Sequence, residues 1–355
     1  LKKNIRVKNR EIRIKKDFED HYRKLLGELY EKFIDFSLRP LKKAIRINTI
    51  KVFDDLLPEN LEGIVSGETN IGIDSLYNLR QYPFNLKIKA TDVLKRLKER
   101  GWEIERIAFY KYGFWVSHPG RRDIGNTLEF QLGYYYSQEA ASMIPPIVLD
   151  PKPGETVLDL AAAPGSKTTQ MAMHMENKGI ILAVDVDKYR LKALSSNLQK
   201  QGVINTLVLH MDGRKIKDLN ITFDKVLLDA PCSGTGAIRK SFKTFIIWNE
   251  RMIQRLSRLQ KQLILSAFDV LKEDGILVYS TCSIEPEENE EVVNYLLYKR
   301  ENARIERIEV PNLKRSEPIL EWRGERYFSD IKYTLRIWPW DNDTEGFYIA
   351  KIRKI

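Results

Sequence analysis

The stretch TVLDLAAAPGSKTTQ (156–170), followed by GIILAVDVDKYR (179–190), decides the fold. In each half a nearly continuous apolar run of strand length ends on an acid, Asp159 or Asp185, and passes into a helical pattern. The alternation continues through TLVLHMD (206–212) and FDKVLLDA (223–230). An amphipathic helix over 250–272 follows, with Met252, Leu256, Leu259, Leu263, Ala267 and Leu271 on one stripe, and then GILVYSTC (275–282). Strands apolar on both faces with helices between them predict a parallel sheet covered on both sides. The strand ends carry the polar residues Asp159, Asp185, Asp212, Asp229 and Cys282. In open α/β sheets, ligands bind outside the carboxyl ends of the strands.

Upstream the pattern is different. Phe18, Tyr22, Leu25, Leu26, Leu29, Tyr30, Phe33 and Ile34 recur at helical steps, and AIRINTIKV (44–52) reads as a strand. Residues 53–90 read as loop with short strands; a helix over 91–100 with Thr91 as its N-cap precedes the strand-like EIERIAFYKYGFWV (103–116). The expected organisation is a small α+β domain over 1–140 and an α/β domain over 141–355. At 355 residues the chain suits two domains, taking about 150 residues for each.

Lys and Arg number 59 against 49 Asp and Glu, a net charge of +10 that favours a polyanionic partner, nucleic acid first and an anionic membrane second. The two cysteines exclude a disulfide framework, and His21, His118, His174 and His210 are scattered without zinc spacing, so no metal is expected. No apolar run approaches the roughly 18 residues that cross a bilayer. The first residues, LKKNIRVKNREIRIKKDF, lack the apolar core of a signal peptide. A cytoplasmic protein with no membrane partner is expected.

DLAAAPGSKT (159–168) lies where a dinucleotide fold carries its glycine fingerprint. Small residues here permit close approach of a ligand, and Ser166 opens a helix whose amide end favours an anion. The stretch does not match the nucleotide-triphosphate loop, although Lys167 and Thr168 are present. Asp185 is placed to accept from ribose hydroxyls or to cap the helix over 187–200; Asp212 can accept from an adenine amino group; Arg190 can pair with a carboxylate or lie solvated. Acids after the second and third strands suit an adenosyl ligand, and without the glycine fingerprint S-adenosylmethionine fits better than NAD.

Cys232 in DAPCSGTG (229–236) and Cys282 in STCS (280–283) follow the fourth and fifth strands, which are neighbours in such a sheet. Each alone reads as a buried structural thiol. Together, beside a cofactor edge, they suit one reaction. Carbon 5 of cytosine is a poor nucleophile until a thiolate adds to carbon 6. An acid near ring N3, for which Asp229 is placed, stabilises the adduct. A base then removes the carbon 5 proton, a step a second thiol can assist, and the target base must leave its stack.

The segments DLAAAPGSKTTQ, VDVDKYR, DAPCSGTG, YSTCSIEPEENE and RIWPWDNDTEGFYIAKI closely resemble the RNA cytosine-5 methyltransferases of the Nop/Sun family, as do RINTIK (46–51) and GYYYSQEAASMIPP (133–146) upstream. The resemblance covers about 42–51 and 91–352. It implies a class I methyltransferase fold, Rossmann-like, with a mostly parallel seven-stranded sheet and S-adenosylmethionine as cofactor. It makes Cys282 the carbon 6 nucleophile and has Cys232 assist product release. It places Ala161, Ala162, Ala163, Pro164, Gly165, Ser166, Lys167, Asp185, Arg190, Asp212 and Asp229 around the cofactor and target pocket. DNA cytosine-5 methyltransferases use the PC cysteine as nucleophile instead, and spacing does not choose between the two assignments. Trp340 stands where the family often carries His.

Eight Lys or Arg face one Glu in residues 1–16, a solvated basic helix or a phosphate-tracking arm. Tyr110, Lys111, Tyr112, Phe114, Trp115, Arg121 and Arg122 can stack on or neutralise an unpaired strand, although at least half of the aromatics suit a core. A compact N-terminal domain without a long appended module resembles the tRNA members, which places tRNA before rRNA, with the protein acting as a monomer. The rivals are an amino-group methyltransferase, which would show NPPY or DPPY in place of DAPC, and a non-catalytic RNA-binding assembly factor on the same fold.

Overall fold

The computed structural model of the protein describes residues 4–7, 10–56, 87–120 and 123–355, with side chains from Ile14 onward. The cationic side chains of residues 1–13, Arg121, Arg122 and, of the stretch 53–90 expected as loop with short strands, residues 57–86 therefore lie outside the described residues. Strands β1 (Asn4–Val7) and β2 (Arg10–Arg13) pair antiparallel and lead into helices α1 (Lys16–Leu26) and α2 (Tyr30–Leu38). The helical apolar spacing is realised: Phe18, Tyr22, Leu26, Tyr30, Phe33 and Ile34 are buried. They pack against Ile238, Phe245, Trp248, Ile253, Ile284 and Trp338, far along the chain, and not against the sheet that follows them.

That sheet is four-stranded and antiparallel, in the order β4-β5-β3-β6, from β3 (Lys43–Ile47), β4 (Glu103–Arg106), β5 (Gly113–Ser117) and β6 (Tyr135–Ser137). Helix α3 (Ala90–Glu99) buries Val93 and Leu97 against Ile45, Ile47 and Phe114. The expected N-cap is displaced, because Lys89 occupies that position with no side-chain cap. Thr91 is inside the helix, and Asp55 accepts both its N–H (3.0 Å) and its hydroxyl (2.5 Å) from another segment. The short α4 (Leu128–Gln131) precedes β6.

The C-terminal part runs α5 (Ile144–Leu149), β7 (Thr156–Asp159), α6 (Ser166–His174), β8 (Ile180–Asp185), α7 (Lys188–Gln201), β9 (Thr206–His210) and β10 (Phe223–Asp229). It continues with α8 (Thr244–Ile247), α9 (Glu250–Asp269), β11 (Leu271–Thr281), α10 (Glu290–Lys299) and β12 (Ala303–Glu306). A small hairpin of β13 (Glu321–Trp322) and β14 (Glu325–Arg326) precedes β15 (Leu335–Ile337) and β16 (Phe347–Lys354). The main sheet has the order β12-β16-β11-β10-β7-β8-β9. Strands β11, β10, β7, β8 and β9 are mutually parallel, and β16 is antiparallel to both β11 and β12. An eighth strand, β15, pairs with the first part of β16 next to the stretch held by β12.

Buried apolar side chains cover both faces of the central strands, Val226 and Leu228 on one side and Val157, Leu227 and Val278 on the other. The pattern lapses at β9, where Leu207 and Val208 are exposed because an edge strand has a neighbour on one side only. On α9 the expected stripe is realised at Leu263 and Ala267, while Met252, Leu256 and Leu259 are half-buried, Leu271 falls in β11, and Ile253, Ser257, Gln260, Ile264, Ser266 and Phe268 widen the buried face. Polar side chains on a buried helical face require partners, and Gln260 finds them in the site described next. No helix among the described residues is long and apolar enough to cross a membrane.

Candidate active site

The parallel register of β10 and β11 sets Asp229 beside Ser280. The two cysteine loops therefore leave neighbouring strands at the same edge, and Cys232 Sγ lies 3.4 Å from Cys282 Sγ. Both thiols are half-buried. Contact with the Cys282 thiol, followed by burial, pushes the Cys232 thiol well above its ordinary range.

Beside them stands an ion pair. Lys167 Nζ is 2.7 Å from Asp229 Oδ2 and donates to Ser142 Oγ at 2.9 Å, and Ser280 Oγ donates to Asp229 Oδ1 at 2.8 Å. Burial alone would lower the Lys167 ammonium, but the facing Asp229 carboxylate outweighs it and holds the lysine above its usual value. Lys167 thus faces the end of β10, from which the Cys232 loop leaves. Asp159, at the end of β7, is buried, which pushes it up to about 7 although the Thr168 hydroxyl donates to it at 2.7 Å.

The two cysteine loops are laced together by backbone. Gly236 N–H donates to Cys282 O at 2.9 Å, and Gly346 N–H donates to Gly236 O at 2.9 Å. A Cβ on Gly236 would lie 2.2 Å from Gly346 O and 2.8 Å from Cys282 O. The last glycine of DAPCSGTG thus serves close backbone approach. The buried Glu288 also joins the loops: its carboxylate accepts from Ser233 N–H at 3.0 Å, Ser283 Oγ at 2.5 Å and Gln260 Nε2 at 3.0 Å.

At the other half of the edge, Ala162, Ala163 and Gly165 are buried in the β7–α6 turn, with Ala161 and Ser166 half-buried and Pro164 exposed. Gly165 has a different task from the one its small size suggests. It adopts φ +103°, and a Cβ there would meet Leu194 Cδ1 at 2.6 Å, so it is needed where the turn packs on α7. Gly165→Ala is expected to cost roughly 1–3 kcal/mol in strain and overpacking. A lowered thermal midpoint together with weaker S-adenosylmethionine binding by calorimetry checks this.

Asp185 Oδ2 accepts Ala163 N–H at 3.1 Å and Oδ1 accepts Asp187 N–H at 2.9 Å. The cap of α7 is Asp187, which accepts from Tyr189 and Arg190 N–H, so Asp185 is free of that duty. Arg190 is not simply solvated: it lies 3.5 Å from Asp185 and donates to Ala163 O. Asp212 caps the 3-10 turn Gly213–Leu219 by accepting Arg214 N–H at 3.0 Å. Hydrogen bonds from Arg214 hold its carboxyl below the ordinary range. The donor set therefore fits an adenosyl ligand: an acid at the end of β8, a second after β9, and a compact turn between β7 and α6.

The upstream motifs serve this turn. Arg46 of RINTIK is fully buried and donates to Ser166 O at 2.8 Å, Gln138 Oε1 at 2.6 Å and Thr169 Oγ1 at 2.9 Å, which docks the antiparallel sheet onto the start of α6. Asn48 donates to Gly133 O and Gln201 O. Glu139, in GYYYSQEAASMIPP, accepts the N–H groups of Glu345 and Ser142, and burial raises its carboxyl to about 8. None of these roles was visible as a chemical motif. Of the candidate stacking residues, Tyr110 and Phe114 are core, and Lys111 and Tyr112 are tied to Asp54 at 2.8 and 2.7 Å. Trp115 is half-buried on a surface groove with Trp102, Lys42, Lys43 and His118.

Comparison with known proteins agrees with this geometry. The model of a family described as 16S rRNA methyltransferase RsmB/F matches residues 146–353. A tRNA (cytosine(49)-C(5))-methyltransferase from Pyrococcus abyssi is 44% identical over 348 residues, covering 95% of this chain and 99% of the relative. The ribosomal RNA small subunit methyltransferase F of Shewanella loihica is 35% identical over 96% of this chain, which spans 61% of that protein's length. The crystal structure of a methyltransferase homolog protein from Pyrococcus horikoshii superposes with a TM-score of 0.75 at 36% identity, covering 95% of this chain and 94% of that one. NSun6 from the same organism shares the fold, with a TM-score of 0.74 at 24% identity over 96% of this chain and 98% of its own. With the family's model matched from α5 to the last strand and near end-to-end identity to the Pyrococcus relative, the chain belongs to the 16S rRNA methyltransferase RsmB/F family.

Proposed function

We propose that the protein is an S-adenosylmethionine-dependent RNA cytosine-C5 methyltransferase acting on tRNA, cytoplasmic and monomeric. In this reading residues 1–140 bear RNA recognition and 141–355 the chemistry. The observation that carries it is the thiol pair, 3.4 Å apart, beside the Lys167–Asp229 ion pair at the carboxyl edge of the sheet. The tRNA choice is supported by the Pyrococcus tRNA enzyme, 44% identical and matched over 99% of its length.

The turn Ala161–Lys167 with Asp185, Arg190 and Asp212 would hold S-adenosylmethionine, which supplies the electrophilic methyl group for carbon 5. Cys282, as thiolate, forms the sulfur–carbon 6 bond and pushes the ring electrons toward N3. The Lys167–Asp229 pair holds a proton at the ring and so stabilises the adduct. After carbon 5 has gained its methyl group, Cys232 assists removal of the carbon 5 proton. The electrons of that C–H bond re-form the ring double bond, and the sulfur–carbon 6 bond breaks to return the Cys282 thiolate.

The test incubates the protein with methyl-labelled S-adenosylmethionine and separate tRNA and rRNA pools, then identifies the labelled nucleoside. The expected product is 5-methylcytidine in tRNA. Label in any other nucleoside overturns the chemistry, and label confined to rRNA overturns the substrate choice.

A further inference from the structure

Two identical thiols in contact must be held in register and made unequal if one is to attack and the other to assist release. The side chain that touches both loops is Glu288, buried in the 3-10 turn Pro286–Glu288 after the TC motif. It accepts the N–H and the hydroxyl of Ser233, next to Cys232, and the hydroxyl of Ser283, next to Cys282. Gln260 from α9 holds Oε1 at 3.0 Å and also donates to Pro231 O at 2.8 Å. Tyr279 of β11 fixes the backbone by donating to Glu288 O at 2.5 Å. The carboxylate thus has donors from three segments and, among the described residues, no basic side chain as a hydrogen-bond partner. We propose that Glu288 is a positioning residue for the thiol pair: its carboxylate clamps both cysteine loops and sets the two thiols apart by placing its negative charge on the Cys232 side.

The charges around the pair are asymmetric in this sense. The Ser233 amide, next to Cys232 in the chain, is spent on Glu288, and of the loop's amides it is Gly234 N–H that donates to the Cys232 sulfur and partly offsets its rise. Contact with Cys282 and burial raise Cys232 most, and the negative charge of Glu288 adds to them, whereas Cys282 lies among the charges acting on the Lys167 ammonium. Burial raises Glu288 itself to about 7, so the effect on Cys232 grows as Glu288 ionises above that pH. The other titratable groups facing it are Cys232, Glu285, Tyr22 from α1 and Tyr279 from β11. Glu285 is itself held by Trp248 Nε1 at 2.9 Å and His21 at 2.7 Å.

The inference rests on the proposed methyl transfer, but its test needs no RNA. The full chain and the Glu288→Gln variant are alkylated with iodoacetamide across pH 6–10, and each cysteine is followed separately by peptide mass. Glu288→Gln preserves volume and removes the charge. The expected result is a midpoint for Cys232 about one pH unit lower, which is about a tenfold faster reaction below the midpoint, with a smaller change at Cys282. Glu288→Asp, whose shorter arm draws the charge back, is expected to fall between the two, and it carries the comparison if the Gln variant does not fold. A Cys232 profile identical to wild type in a folded variant overturns the proposal. Failure of the wild type to make 5-methylcytidine would instead count against the methyl-transfer reading while leaving the alkylation result interpretable.

Discussion

Cys282→Ala is expected to lower methyl transfer by at least about 10³-fold and to form no covalent complex with RNA, because loss of a covalent nucleophile removes the whole adduct pathway. Cys232→Ala is expected to behave in the opposite way on a denaturing gel, accumulating a denaturation-resistant protein–RNA adduct. With Cys282 intact the sulfur–carbon 6 bond still forms, and what is lost is the group 3.4 Å away that assists its release. The two variants are sterically mild, since both thiols are half-buried and Ala removes a single heavy atom from each. The measurement pairs single-turnover methyl transfer with adduct detection. An adduct that appears on loss of Cys282, and not of Cys232, would exchange the two roles.

Asp229→Asn is expected to reduce turnover by about 10²–10⁴-fold, the usual range for loss of a positioned acid–base group. The substitution keeps an acceptor for Ser280 Oγ but removes the counter-charge of Lys167, 2.7 Å away and nine-tenths buried. Without it the burial that opposes the ammonium is no longer outweighed, so the lysine is expected to titrate lower. The alkaline limb of the pH–rate profile should therefore move to lower pH in the variant. S-adenosylmethionine binding by calorimetry should change far less than turnover, because the Asp185 and Ala163 contacts are untouched. A variant that loses cofactor binding and turnover equally would place Asp229 on the cofactor and not on the target base.

Much of this site was legible in advance because it depends on one-dimensional features. A strand of period two or a continuous apolar run announces itself, and the residue that ends it must lie at the sheet edge. Asp185, Asp229 and both cysteines were located on that basis. Gln260 and Glu288 were not, since a polar residue on an amphipathic helix or in a Pro-Glu-Glu turn looks solvated until its neighbours are known. The packing demand on Gly165 was not legible either, since it comes from Leu194, twenty-nine residues away in the sequence. Thr91 looked like a cap, but Lys89 holds that position, and Thr91 instead donates its N–H and hydroxyl to Asp55 in another segment.

The succession of strands and helices along the chain, the edge that carries the chemistry and the placing of the two thiols after neighbouring strands follow from the sequence by itself, because hydrophobic periodicity and strand endings are local properties. The tertiary structure alone decided how those thiols are held: Arg46 from the N-terminal sheet bracing the start of α6, Gly236 and Gly346 in backbone contact, and Glu288 between the two cysteine loops. Such contacts join residues tens to hundreds of positions apart. Their strength comes from burial and charge pairing that exist only once the chain has closed on itself.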